Sequence, residues 1–267
     1  MFALVRTREC PAESPLKRLA RRLSAADGLH FELSSSFGVR VLECTIDILQ
    51  NESKRRSHAR ADRAFNFLAE NKIICVVPSE NFEFSELIQQ YKLYIPDLKK
   101  LWSKTAGMIA SYIMELGNDA TSVAIYANRV SSELDDTVKH LLPLTRRLAL
   151  CCSGRAELYI RALLREYGIS IVTSYRALVS ADIHLMLQRP PVLPEVKSNA
   201  VAIQFYSDEY KLPCYSVKNI EYSWPERIML PQGYPADMLL AALNEAGAIR
   251  PQEINIKNVL ISENDTV

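Results

Sequence analysis

Five short apolar runs, alternating with stretches of helical spacing, constrain the second half of this chain most strongly. The runs are SVAIYA (122–127), LALCC (148–152), ISIVTS (169–174), IHLML (183–187) and VAIQFY (201–206). Between them, Ser132 through Arg147 and Ala156 through Tyr167 keep an amphipathic helical period, and a shorter helical segment covers 175–181. Continuous Val/Ile/Leu runs suit strands buried on both faces, so the pattern predicts a parallel sheet covered by helices on both sides. Tyr234–Ala246 reads as a closing helix stopped by Gly247, and 254–261 as a last strand.

The first half mixes shorter elements. FALVR opens as a strand. Leu16, Leu19, Ala20 and Leu23 then keep helical spacing, with Ser14 placed to cap and Pro15 in the first turn. Strands are expected over 29–34 and 39–47, a helix over 60–71 and a β-run over 72–77. A helical pattern from Phe84 to Gly117 is interrupted near Pro96. Gly117-Asn118-Asp119 stops it. The fold class expected is therefore α/β in two parts, an N-terminal α/β domain over 1–117 and a second domain over 118–267.

Composition bounds the partners. A chain of 267 residues with 48% apolar content can bury a core, and a formal charge of +1 gives no global field toward nucleic acid or acidic lipid. No apolar run approaches the ~20 residues of a membrane span, and MFALVRTREC lacks the apolar core of a secretory signal. The six cysteines fall mostly in apolar, strand-like sequence and lack a disulfide framework of spacings. These features lead to the expectation of a bacterial-type cytoplasmic protein with free thiols and no membrane partner.

The strand–helix rhythm of residues 120–262, with Ser153-Gly154-Arg155 after the second run, resembles the nucleotide-binding halves of Rossmann-type dehydrogenases. The nearest likeness is to the C-terminal domains of shikimate-dehydrogenase-like enzymes. In those, the loop after the second strand carries an arginine that can face a 2′-phosphate. The resemblance implies a Rossmann-like sheet in 118–267 and, for an NADP-dependent dehydrogenase, a cofactor site using Arg129, Ser153, Arg155, Thr173 and Ser174.

One feature departs from that family. A dinucleotide loop needs glycines two and three residues apart so that backbone can approach the pyrophosphate. The eight glycines here, at 28, 38, 107, 117, 154, 168, 233 and 247, are never closer than ten residues. That excludes the dinucleotide loop, the P-loop and a G-x-S-x-G elbow. After the first run, Ser132 is placed to cap a helix with Asp135 as capping-box partner, and Glu133, Asp135 and Asp136 crowd the turn a phosphate would occupy. The expectation drawn is that the chain binds no nucleotide cofactor.

Other chemistry is sparse. His30, His58, His140 and His184 are scattered, with no metal-ligand spacing, and adjacent Cys151 and Cys152 on a strand point to opposite faces, so no metal is expected. His184, inside IHLML, reads as a core histidine. Cys152, at a strand end before a helix, is the one place where a thiol could be activated. Lys54 to Arg63 is the strongest charge run, but no aromatic residue is interleaved for base stacking, so it reads as a solvated face and nucleic acid is not an expected partner. No catalytic residue is assigned. The leading expectation is a non-catalytic Rossmann-like regulatory or assembly protein with a protein partner or self-association. The alternatives are an NAD(P)-dependent dehydrogenase-like enzyme with a divergent loop, and a nucleic-acid-associated module using 54–63.

Overall fold

The computed structural model describes residues 1–11, 28–35, 38–117, 121–152, 156–226 and 228–263. The helix expected over 16–23, and Ser153 and Arg155, lie outside the described residues. The chain divides into two compact units, Met1–Leu98 with Pro225–Arg250, and Lys99–Trp224 with Pro251–Val267. The expected boundary at 117/118 falls inside the second unit.

The first unit holds a four-stranded sheet of β1 (Phe2–Cys10), β2 (Leu29–Ser34), β3 (Val41–Leu49) and β4 (Val76–Pro78), in the order β2-β3-β1-β4. β1 runs parallel to β3 and β4, while β2 is antiparallel to β3. Helix α1 (Lys54–Glu70) buries Ala61, Ala64, Phe65 and Leu68 in one core with Ala3, Val5, Cys44 and Ile46. These are alternate residues of β1 and β3, so the remaining positions form the sheet's second, more polar face. Arg60 of α1 is also buried, paired with Glu52 at 2.7 and 2.8 Å and donating to the Asp47 carbonyl. Lys54, Arg55, Arg56 and Arg63 stay exposed, so most of the basic run is a solvated helix face. The short helix α2 (Ser85–Gln90) follows, and α3 (Leu98–Lys104) begins where the first unit ends.

In the second unit, α4 (Ala106–Leu116) is separated from α3 at Thr105, whose buried hydroxyl donates back to the Leu101 carbonyl at 3.1 Å. The single long helix expected there is therefore broken in two. The sheet contains β5 (Ser122–Ala127), β6 (Arg147–Cys152), β7 (Ile183–Met186), β8 (Val201–Gln204), β9 (Tyr215–Ser223) and β10 (Asn255–Glu263), ordered β10-β9-β8-β7-β5-β6. β6, β5, β7, β8 and β9 are mutually parallel and β10 closes the edge antiparallel. The run expected as a third strand pairs through one residue only, Val172 against Ala149, on the outer side of β6. In chain order the strands therefore read 3-2-1-4-5-6-7 across the sheet, and the first six follow the Rossmann order. The fold is α/β with parallel sheets flanked by helices.

Helices α5 (Ser132–Leu141), α6 (Ala156–Tyr167) and α7 (Tyr175–Val179) connect these strands, and α8 (Ala236–Glu245) belongs to the first unit. α5 stops before Pro143 instead of reaching Arg147, because proline has no N–H to continue the helical ladder. Gly168, at φ 68°, ends α6 with its N–H on the Leu164 carbonyl. α4 and α5 meet at Gly107, where an added Cβ would lie 2.8 Å from the His140 Cβ.

Candidate functional site at the C-terminal edge of the second sheet

In an open α/β sheet, ligands bind beyond the C-terminal strand ends, at the point where strand order reverses. Here that point lies between β5 and β7. Below it sits a buried pair. The Tyr126 hydroxyl donates to His184 Nδ1 at 3.2 Å, and His184 Nε2 donates to the Ala181 carbonyl at 3.2 Å. The two rings stack at 5.9 Å. His184 is fully buried, and burial pushes its pKa down to about 4, so the imidazole stays neutral. It is a satisfied core histidine, as its sequence setting suggested.

Tyr126 also forms one wall of a cavity of about 290 Å³, together with Cys151, Tyr175, Leu178 and the segment Pro190–Glu195. The lining is largely apolar, with two phenols, a thiol and one carboxylate. A hydrogen bond to Glu195 raises the pKa of Tyr175. Burial raises the thiols of both Cys151 and Cys152, with Cys151 adding to the effect at Cys152. The activation considered for Cys152 is thus corrected: desolvation outweighs the strand-end position.

The loops around this edge are tied to one another. The Gln204 side-chain Oε1 accepts from the Tyr210 N–H at 2.7 Å and the Tyr206 hydroxyl at 2.8 Å, and its side-chain Nε2 donates to the Tyr210 carbonyl. Tyr210 donates to the Pro190 carbonyl at 3.1 Å, and the Arg189 guanidinium lies 4.8 Å from its ring centre. The proline-rich rim is therefore fixed by the neighbouring loop.

The β5–α5 turn commits its donors internally. The Asn128 N–H donates to Gln188 Oε1 at 2.8 Å, and its side-chain amide donates to the Arg189 carbonyl at 3.2 Å. The N-cap of α5 is Ser131, accepting from the Leu134 N–H at 3.3 Å, which corrects the expected cap at Ser132. Hydrogen bonds from its own N–H and from Ser131 lower the pKa of the Glu133 carboxyl, so a resident anion occupies the helix N-terminus. Asp135 is paired with Lys139 at 2.7 Å and accepts from Tyr159 at 3.1 Å instead of closing a capping box. These residues do not fit a pyrophosphate docked on this turn.

Of the residues set out from the resemblance, Arg129 is exposed on the β5–α5 turn, and Thr173 and Ser174 are exposed just before α7. Ser174 caps that helix, accepting from Ala177 at 3.4 Å. Thr173 follows a strand two positions from β5, about 10 Å across the sheet. The topology brings all three to one edge without joining them into a cluster. Sequence reasoning missed the cavity walls. Their one signal was the run Arg189-Pro190-Pro191-Val192-Leu193-Pro194 directly after a buried strand. Among the described residues no group of acidic, histidine and cysteine side chains could hold a metal, and no helix is long and apolar enough to cross a membrane.

No known protein family and no curated protein matches this sequence. Solved structures do match. A phosphoglycerate oxidoreductase from Vibrio cholerae is 10% identical over 93% of this chain and 82% of its own, with a TM-score of 0.28. The pyruvate reductase of Chlamydomonas reinhardtii is 10% identical over 76% of this chain and 68% of its own, at 0.29. An L-tryptophan dehydrogenase from Nostoc punctiforme is 10% identical over 76% of this chain and 56% of its own, at 0.25.

Two expectations are corrected by these matches. The resemblance is Rossmann-like, and the shikimate-dehydrogenase type is not supported. The expectation of no cofactor is withdrawn: the matched structures carry the names of an oxidoreductase, a reductase and a dehydrogenase. At TM-scores under 0.3 the likeness carries no argument about this chain's own substrate or residues.

Proposed function

We propose that the second unit is the nucleotide-binding part of a dehydrogenase-like enzyme with a divergent cofactor loop, NADP being the cofactor in view. The observation that carries this reading is the Rossmann strand order together with an apolar cavity at the C-terminal strand ends. The ligand enters the cavity beside α7 and does not rest its phosphates on the β5–α5 turn. Tyr126, braced by His184, forms a rigid wall, and the proline rim excludes water. Thr173 and Ser174 border the same side.

The test is calorimetric titration of the full chain with NADPH and NADH. The expected result is saturable binding of NADPH, weakened about tenfold when the cavity is filled in Cys151→Phe. Absence of binding by either cofactor at millimolar concentration contradicts the reading.

A second reading keeps the same site for a regulatory or assembly protein, in which a bound nucleotide acts as signal and not as redox partner. The committed donors of Asn128 and the Glu133 carboxylate favour it, since they remove the usual positioning of a dinucleotide. Bound NADPH that no small oxo acid ever oxidises would favour this second reading.

A further inference from the structure

The polar face of the first unit's sheet carries a cluster that the nucleotide reading does not use. Asp47 on β3 has a side chain only 3% exposed, yet both of its basic partners reach into solvent, each side chain 52% exposed. Arg8 Nε donates to Asp47 Oδ1 at 2.8 Å, and His30 Nε2 lies 3.0 Å from Oδ2. Arg8 Nη2 is 3.1 Å from the same imidazole nitrogen. One rung earlier, Arg6 Nε donates to the buried Thr45 hydroxyl at 3.0 Å.

The register explains the cluster. Arg6 pairs with Thr45 and Arg8 with Asp47 across the parallel β1/β3 ladder, and His30 pairs with Thr45 from the other side. Two guanidiniums and an imidazole are thereby held on one face by side chains of the central strand. Burying a carboxylate costs several kcal/mol before its partners offset it, and an aliphatic residue would pair the strands without that cost. What Asp47 gains for the protein is a fixed position for two basic side chains that remain in water.

Asp47 offsets the charge of one guanidinium. Among the described residues of β1, β2 and β3 on this face, the other carboxylates are Glu43 and its β2 partner Glu32, two residues from the Thr45–His30 rung and about 7 Å along the strands.

We propose that Arg6, Arg8 and His30 form a binding site for a small oxyanion, a carboxylate or phosphate group, with Thr45 and Asp47 as positioning residues. The planar guanidinium fork suits either group, and an imidazole N–H adds a third donor. The site lies wholly within the first unit and does not depend on the nucleotide reading of the second.

The test is a titration of the full chain with inorganic phosphate and, separately, with malonate, at constant ionic strength. The readout is the His30 ring and Arg8 Nε resonances. The expected result is saturable movement of both with at least one probe, weakened about tenfold in Arg8→Gln. Arg8→Lys, which keeps the charge but loses the fork, should also bind more weakly than wild type. Response to phosphate alone would mark a phosphate-bearing ligand, and response to malonate alone a carboxylate. Shifts that never saturate, or that are identical in Arg8→Gln, would overturn the proposal.

Discussion

At the scale of single residues, the buried polar groups decide most. His184 is neutral in the fold with a pKa of about 4, against 6.5 for the exposed group. The unfolded chain therefore takes up a proton at higher pH than the folded one, and stability is lost as pH falls from about 6.5 toward 4. A shift of that size corresponds to roughly 3 kcal/mol for a fully buried ring. Urea unfolding followed on wild type and His184→Gln should show the wild type losing that extra stability across this window and the variant lacking the slope. Equal slopes would mean that His184 is more hydrated than its burial implies. Glu52 makes the opposite case. Its removal in Glu52→Gln leaves Arg60 charged and buried without its carboxylate, and should cost about 3–5 kcal/mol. A loss below 1 kcal/mol in chemical unfolding would show that Arg60 swings into water.

At the scale of elements, capping and strand patterning separate what was legible from what was not. Ser131 accepts the Leu134 N–H, so Ser131→Ala should cost about 1 kcal/mol and Ser132→Ala less than half of that. The reverse order, read from thermal unfolding, would restore Ser132 as cap. Two adjacent serines offer the same chemistry, and only the backbone angle of Ser131 (φ −123°, ψ 171°) selects it. β5 and α6 were legible to the residue, because SVAIYA has no polar interior position and α6 ends at a glycine. β9 was not. Its sequence, YSVKNIEYS, exposes Lys218, Asn219 and Glu221 and pairs irregularly with β10, so it lacks the continuous apolar run of its parallel neighbours. The third run, at 169–174, carries β-branched residues but lies at the sheet edge, where one bridge is all the pairing it makes.

At the scale of the whole molecule, the first unit is discontinuous in sequence. Residues 225–250, including α8, belong with 1–98, and no reading along the chain reveals such a return. The absence of a glycine-rich loop was fully legible, and so was the acidic turn after β5. The cavity was not, because its walls come from β5, β6, α7 and the proline segment, which only the 3-2-1-4 strand order brings together. The central claim is that a nucleotide is held in that cavity and not on the β5–α5 turn. The most direct measurement compares NADPH binding by wild type, a cavity-filling Cys151→Phe variant and a turn-neutralising Glu133→Gln variant. The expected result is loss of at least tenfold in affinity for Cys151→Phe, about 1.4 kcal/mol, with Glu133→Gln unchanged. Binding that survives Cys151→Phe and strengthens in Glu133→Gln would place the phosphates on the turn and contradict the claim.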